Sequence, residues 1–228
     1  MGEYRVGDAR EPLEQKAAVA AVDLAWARPK RNGVYVTYDT YGPDNGLWGF
    51  VDATHESLVD GGWAIFDADD WLLPRLIQYL QENWGDVAST YCGGGYRRTG
   101  SVTYEGNPGG GHYFTNGGYH VVFAQKGETD RTSSVSAKQV TNRVSTEVRD
   151  AVGWGTMKPI DPYRKWITSV MDKDELLYVP CAGTAPAALA IEQEWGESAN
   201  YVCVDAEQEA KDAFETRRDM QVTIQRTL

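Results

Sequence analysis

The sequence is poor in cysteine, histidine and long apolar runs, and each scarcity excludes a class of protein. Cys92, Cys181 and Cys203 are too few and too scattered among 228 residues for a disulfide framework, and no CxxC pair indicates structural zinc. No apolar run is long enough to span a bilayer, and the N-terminus "MGEYRVGDAR" has no apolar signal-peptide core. We therefore expect a cytoplasmic protein with no membrane partner.

The three histidines give no sign of a metal centre or a catalytic triad. His55, His112 and His120 lie far apart, without the spacing that metal ligands or triad members show. We therefore predict no metal.

Basic charge is also scarce, since 33 Asp and Glu residues face 22 Lys and Arg residues, for a net charge of −11. Acidic residues are spread along the chain, a pattern typical of a surface adapted to high salt as well as of an ordinary acidic protein. In molar salt the Debye length falls to about 3 Å, so repulsion acts only locally. The acidic composition therefore does not exclude a nucleic-acid partner.

Strand-like and helix-like runs alternate along the chain. The N-terminal half is interpreted as "EYRVG" (strand), "DAREPLEQKAAVAAV" (helix), "VDLAWA" (strand), "NGLWGFVDATHESLVDGG" (helix), "WAIFDA" (strand) and "DDWLLPRLIQYLQENWG" (helix). "DVASTYC" and "YHVVFAQKG" are interpreted as strands on either side of a long glycine-rich loop, and a polar crossover follows them. The C-terminal part is interpreted as "DPYRKWITSVM" (helix), "ELLYVPCAG" (strand), "TAPAALAIEQEWG" (helix), "YVCVDAE" (strand) and "QEAKDAFETRRD" (helix), and "MQVTIQRTL" is a candidate for a last strand.

This alternation predicts a single α/β domain with a doubly wound, mainly parallel, seven-stranded sheet of the Rossmann-like kind. We expect "VDLAWA" and "ELLYVPC" to be adjacent central strands. Ligands of such sheets bind at the carboxyl ends of the strands, near a point where the strand order reverses.

One strand–turn–helix–strand unit has the character of a nucleotide site. In "ELLYVPCAGTAPAALAIEQEWGESANYVCVDAE" a strand leads to a turn at Ala182 and Gly183, and Asp205 ends the next strand. Backbone amides at the helix start could face a ligand, and the carboxylate could accept ribose hydroxyls. A generic α/β turn with a surface aspartate is an equally good interpretation, and there are too few glycines for an NAD fingerprint.

The order of these segments resembles that of the permuted S-adenosylmethionine-dependent DNA amino-methyltransferases, which methylate the exocyclic amino group of adenine or cytosine. The resemblance extends from about Gly7 to Arg217, through "GDARE", "VDL", "LVDGG", "KP", the turn and Asp205. It implies a catalytic half at 1–126, a variable crossover at 127–157 and a cofactor half at 158–228. It also implies a set of cofactor-binding positions: Lys158, Pro159, Pro180, Ala182, Gly183 and Asp205.

Several signature positions of that family have changed in this sequence. The family's catalytic Asp/Asn/Ser-Pro-Pro-Tyr/Phe motif is replaced by "ARPKR", where Arg28 takes the acidic or amide position and Pro29 is retained. A guanidinium has only donors and cannot accept the hydrogens of a target amino group. In the cofactor motif, Ala185 adds a methyl group and Pro186 removes an amide donor. We therefore expect weak binding of S-adenosylmethionine and eroded catalysis.

A second register of the catalytic motif stays open. "YDTYG" supplies Asp39 and Tyr41, which carry the carboxylate and the aromatic ring that "ARPKR" lacks, although without prolines and beyond the predicted strand. It is the only local route to an active amino-methylation site.

Three functions follow from these patterns. The favoured one is a methyltransferase-fold protein with lost or much reduced catalysis, acting as a binding or structural module, with a viral or mobile-element origin in a halophile and a cytoplasmic or virion-associated location. Its partners would be DNA, other protein subunits or a viral particle. The alternatives are an active DNA adenine or cytosine amino-methyltransferase with a deviant motif, and a methyltransferase for another small molecule or protein.

Overall fold

The computed structural model describes residues 2–24, 46–70, 72–85, 94–105, 118–142, 144–155 and 157–227. Its strands are β1 (Glu3–Val6), β2 (Ala17–Asp23), β3 (Leu58–Ala68), β4 (Tyr96–Glu105), β5 (Gly118–Gln125), β6 (Lys138–Asn142), β7 (Leu177–Pro180) and β8 (Tyr201–Asp205). Its helices are α1 (Gly46–Ser57), α2 (Leu72–Asn83), α3 (Thr146–Val152), α4 (Asp161–Ile167), α5 (Pro186–Trp195) and α6 (Gln208–Thr227), and a 3₁₀ turn covers Gly196–Ser198.

The strands form one sheet in the order β1-β8-β7-β2-β3-β5-β4-β6. The first five strands in this order, β1, β8, β7, β2 and β3, are parallel to one another. Strand β5 is antiparallel to β3 and β4, and β6 is parallel to β4. The predicted α/β class and mainly parallel sheet are confirmed, as is the adjacency of the two central strands, β2 and β7. The sheet of described strands has eight members instead of the predicted seven, and two of them, β4 and β6, lie in segments interpreted as a loop and a crossover.

Helices cover both faces of the sheet. Helices α4, α5 and α6 pack on one face, where Trp166, Leu189 and Phe214 join the core. Helices α1 and α2 pack on the other face through side chains such as Leu47, Val51 and Leu76, which explains the doubly wound pattern of the sequence. None of the described helices is both long enough and apolar enough to cross a membrane.

Strand β2 lies where the sequence predicted the end of a helix. Its residues 17–22 are all buried, since β3 and β7 flank the strand and helices cover both faces. A short run of alanine and valine fits a buried helix or a buried parallel strand equally well, and only the neighbouring strands decide between them. The predicted strand "VDLAWA" therefore overlaps the real one only at Val22 and Asp23.

Two further segments differ from the sequence prediction. The glycine-rich stretch interpreted as a loop contains β4. Its sequence pattern does not predict a strand, and its long antiparallel pairing with β5 supplies the hydrogen bonds that stabilise it. The C-terminal "MQVTIQRTL", predicted as a strand, continues α6 as far as Thr227. The predicted strand "DVASTYC" lies outside the described residues.

Candidate functional site

The carboxyl ends of β7 and β8 lie side by side and hold the predicted cofactor residues. These strands are parallel, and Pro180 is opposite Val204, so Asp205 lies next to the start of the turn that follows β7. We call residues 181–185 the β7–α5 turn. Parallel strands place their carboxyl ends at one edge of the sheet, which is where α/β proteins bind ligands.

Hydrogen bonds tie the β7–α5 turn to two strands, β8 and β1. The amide of Gly183 donates to Asp205 Oδ2 at 2.9 Å, and the amide of Glu207 donates to Asp205 Oδ1 at 3.1 Å. The carbonyl of Gly183 accepts from the Tyr4 hydroxyl on β1 at 2.8 Å. The amide of Ala182 donates to the carbonyl of Val204 at 3.1 Å. Asp205 therefore orders the turn, while its carboxylate keeps lone pairs for further donors.

Two residues of the β7–α5 turn hold a backbone conformation that L-residues rarely adopt. Cys181 has φ 51° and Ala185 has φ 42°, and Gly183 lies in the same left-handed region with φ 49°. Only glycine reaches this region without steric cost, and each other residue pays about 1–2 kcal/mol. The turn therefore stores strain at Cys181 and Ala185.

The start of helix α5 is poor in free amide donors. Pro186 occupies its first position, and Ala185 in front of it makes no side-chain capping bond. Proline has no N–H, so one of the donors with which helix starts commonly hold anions is absent.

A cluster of charged and phenolic side chains lies at the neighbouring ends of β2 and β3. Asp23 and Asp67 are opposite each other in the parallel pairing of these strands. The Lys158 ammonium donates to Asp23 Oδ1 at 2.6 Å and to Asp67 Oδ2 at 3.3 Å. It also lies 4.7 Å from the ring centre of Tyr119, which favours a cation. We call Asp23, Asp67, Tyr119, Lys158 and Tyr163 the Lys158 cluster.

Asp67 is the most buried carboxylate of the Lys158 cluster, with 1 % of its surface exposed. Its Oδ2 accepts a hydrogen bond from the Tyr163 hydroxyl, and its Oδ1 has no hydrogen-bond partner among the described residues. Burial raises the pKa of Asp67 to about 7, against the opposing effect of the Lys158 ammonium. Burial also raises the pKa of Tyr163 well above its usual value. Asp67 therefore titrates near neutral pH, whereas Tyr163 stays protonated.

Arg217 connects the Lys158 cluster to the β7–α5 turn. Its guanidinium donates to the Thr184 hydroxyl at 2.8 Å and to the backbone carbonyl of Lys158 at 2.7 Å. No carboxylate among the described residues forms an ion pair with it, and burial lowers the pKa of Arg217 to about 10, which leaves it charged at neutral pH. The sequence assigned Arg217 to the end of a helix, but it lies inside α6 and is buried.

The predicted site residues fall into two groups. The first group lies together around the β7–α5 turn and comprises Pro180, Ala182, Gly183 and Asp205. Lys158 and Pro159 are also buried, and Arg217 connects the backbone of Lys158 to the turn. The predicted catalytic positions Arg28, Pro29, Asp39 and Tyr41 lie outside the described residues.

The sequence interpretation missed the partners of Lys158. Asp23 and Asp67 each stand at or next to the last position of an apolar strand, a signal that could have marked them as facing the same edge of the sheet. Tyr163 and Thr184 carry no comparable signal. Among the described residues no group of three His, Cys, Asp or Glu side chains is placed to hold a metal ion.

Comparison with known proteins gives a likeness in structure only. No family model matches the chain, and no curated protein matches it. The structure of M1.HpyAVI in complex with SAM aligns with a TM-score of 0.69 and 13% identity, covering 95% of this chain and 98% of that one. PvuII DNA methyltransferase, which is cytosine-N4-specific, aligns with a TM-score of 0.69 and 12% identity, covering 98% and 90%. The chain therefore has the fold of DNA methyltransferases over nearly its whole length.

Proposed function

We propose that this chain is a DNA amino-methyltransferase-like protein whose catalysis is lost or much reduced, and that it acts as a binding or structural module. The observation that carries the proposal is that the β7–α5 turn already uses its own amide donors for hydrogen bonds within the protein. The Gly183 amide, which a ligand would meet, is already bonded to Asp205, and Pro186 offers no amide at the helix start. The fold and the acidic strand end remain, but fewer donors are available to hold a cofactor.

The residues still fit S-adenosylmethionine in kind. Asp205 is half-buried at the end of β8, and its carboxylate can accept from ribose hydroxyls in addition to its two backbone donors. The left-handed φ of 49° favours glycine at position 183, whereas space does not, since a Cβ there would make an ordinary contact of 3.5 Å with the indole nitrogen of Trp154. When bound, this cofactor supplies an electrophilic methyl group. We expect it to lie over residues 180–184 with low affinity.

Loss of catalysis rests on the sequence at Arg28. A target amino group is activated by acceptors that draw on its hydrogens, and the guanidinium of Arg28 offers only donors. Its positive charge would also stand near the cofactor sulfonium, where like charges raise the barrier. The same position in an active member would carry an oxygen acceptor.

Cofactor binding is tested by calorimetry in molar salt with wild type, Asp205→Ala and, as a control on an exposed carboxylate, Asp161→Ala. We expect weak binding in wild type and in the control, and none in Asp205→Ala. Micromolar or tighter binding that Asp205→Ala abolishes would contradict weak binding and favour an active enzyme. Equal binding in all three proteins would remove Asp205 from the site.

Catalysis is tested by radiolabelled methyl transfer to mixed-sequence DNA in molar salt, with wild type, Arg28→Ala and Asp39→Ala. We expect no incorporation in any of the three proteins. Incorporation that survives Arg28→Ala and disappears in Asp39→Ala would place the catalytic pocket at Asp39 and Tyr41 and establish the deviant enzyme instead.

DNA is the partner that we propose first, and we propose that the protein works at high salt. If the module has no catalysis, its partners would be other protein subunits or a viral particle. Binding of labelled duplex DNA, measured from dilute buffer to molar KCl, tests this. Because the chain carries a net charge of −11, we expect binding only where salt screens the repulsion between protein and DNA. An absence of binding at every salt concentration would favour a protein partner.

A further inference from the structure

The side chain of Lys158 reaches the ends of β2 and β3, while its backbone is tied to the β7–α5 turn through Arg217. Its ammonium is buried between Asp23 and Asp67, at the ends of β2 and β3. Its carbonyl accepts from Arg217, and the same guanidinium holds the Thr184 hydroxyl in the turn. Hydrogen bonds at both ends of Lys158, together with those of Arg217, therefore connect the Asp67 carboxylate to Thr184.

We propose that Lys158 is a positioning residue, which fixes the β7–α5 turn to the ends of β2 and β3 instead of contacting the cofactor, and that Asp67 is its ionisable anchor. The proposal deepens the proposed function, since it concerns the same turn. Resemblance alone would make Lys158 a cofactor contact, and the ion pairs of its ammonium point to the other role.

Burial makes this chain of hydrogen bonds rigid. Lys158, Thr184 and Arg217 are each at most 5 % exposed, so none of them exchanges its partner for bulk water without opening the core. Arg217 has no ion-pair partner among the described carboxylates, so its two hydrogen bonds are what satisfies it there. Buried charges held in this way are strongly constrained in geometry, because each lost bond exposes an uncompensated charge.

The anchor has a titratable side. The groups that face Asp67 are Asp23 of β2, Lys158 before α4 and Tyr163 of α4, and Tyr119 of β5 is hydrogen-bonded to Tyr163. An ionised Asp67 holds the ammonium by charge, and a neutral one only by a weaker hydrogen bond. Since burial raises the pKa of Asp67 to about 7, lowering the pH through neutrality weakens one of the two anchors of Lys158.

Amide hydrogen exchange of residues 181–185 in protein without ligand tests the proposal directly. Exchange is measured at about pH 8 and about pH 6 and expressed as protection factors, which removes the intrinsic pH dependence. Local opening of residues 181–185 loosens the link to Lys158 but leaves Asp67 buried, so its pH dependence follows the ion pair and is opposite in sign to that of global unfolding, which solvates Asp67. In wild type we expect about threefold lower protection at the lower pH, the difference between a charged and a neutral hydrogen bond. Asp67→Asn should show the low protection at both pH values, and the exposed control Asp161→Asn should behave as wild type.

Lys158→Met gives the larger effect. Loss of both ion pairs should lower protection of the turn by about tenfold at both pH values. If this variant fails to fold, the comparison of wild type with Asp67→Asn decides alone. Protection that is independent of pH in wild type and unchanged in Asp67→Asn would overturn the proposal.

Calorimetry with S-adenosylmethionine on the same proteins separates this inference from the proposed function. Affinity should fall in parallel with protection of the unliganded turn. Affinity lost in Lys158→Met with unchanged protection would mean that Lys158 contacts the cofactor, which refutes the inference and leaves the proposed function. The expected protection pattern without any binding in wild type would support the inference and refute cofactor binding.

Discussion

The β7–α5 turn and the Lys158 cluster lie at the same edge of the sheet but are stabilised by different forces. The turn consists mainly of small residues, and backbone amides and carbonyls supply most of its hydrogen bonds, to Asp205, Tyr4 and Val204. The cluster consists of buried charges whose balance depends on protonation. The stability of the β7–α5 turn therefore depends on the size of its side chains, and the stability of the Lys158 cluster depends on the protonation of Asp67.

The difference indicates that substitutions have unequal effects in the two regions. The turn accommodates Cys181 and Ala185 in spite of their left-handed φ values. A buried ion pair tolerates far less, because removing one partner leaves the other charged and dry. Substitutions should therefore cost most in the Lys158 cluster and least in the turn.

The largest expected effect is the loss of Lys158. Lys158→Met leaves Asp67 buried next to Asp23 without the ammonium, and breaking a buried ion pair costs about 3–5 kcal/mol. Urea unfolding should show this loss, whereas the exposed Lys173→Met should change the free energy of unfolding by less than about 0.5 kcal/mol. Equal stability of the two variants would mean that the cluster contributes no more than a surface charge.

Next in size is the pH dependence that Asp67 contributes. The ordinary pKa of an aspartate side chain is 3.8, whereas the pKa of Asp67 in the folded chain is about 7. Between these two pH values the folded state keeps a proton that the unfolded chain releases. The stability from this group is complete below about pH 4 and is lost as the pH rises to about 7, by up to ~1.4 kcal/mol per unit.

Urea unfolding at about pH 5 and about pH 7 checks this. The stability of wild type minus that of Asp67→Asn should fall as the pH rises, while the same difference for Asp161→Asn stays level. A difference that instead grows with pH would mean that Lys158 outweighs burial and lowers the pKa.

A smaller effect separates buried from surface charge. Molar KCl screens the excess of acidic groups on the surface but reaches the buried Lys158 cluster poorly. We expect the melting temperature to rise by several degrees from dilute buffer to molar KCl. For a chain of this length, a gain of about 2 kcal/mol in the free energy of unfolding corresponds to roughly 4–8 °C. The melting difference between wild type and Asp67→Asn should stay the same. Melting that is unaffected by salt would remove the halophilic interpretation.

The smallest effect concerns the turn itself. Ala185→Gly relieves a left-handed φ, and after the entropy cost of glycine we expect a gain of about 0.5–1 kcal/mol. Ala190→Gly, the same change inside α5, should instead lose about 1 kcal/mol or more. Urea unfolding of both variants checks the opposite signs. A loss in Ala185→Gly would mean that the methyl group contributes packing that exceeds the strain.

Much of the fold could be predicted from local patterns. The alternation of apolar runs with amphipathic ones indicated a mainly parallel α/β sheet, and the turn at Ala182 and Gly183 followed by Asp205 at a strand end was placed correctly. These features depend on a few neighbouring residues. The catalytic positions at Arg28 and Asp39 stay predictions, since they lie outside the described residues.

The sequence by itself determined the α/β class, the mainly parallel sheet and the turn at Ala182 and Gly183 that is followed by Asp205 at a strand end. Only the tertiary structure decided that residues 17–23 form a strand, that β4 and β6 extend the sheet, and that Lys158 lies between Asp23 and Asp67. The physical reason is distance along the chain. Lys158 is 135 residues from Asp23 and 91 from Asp67, and such contacts depend on which strands become neighbours, which no local pattern encodes.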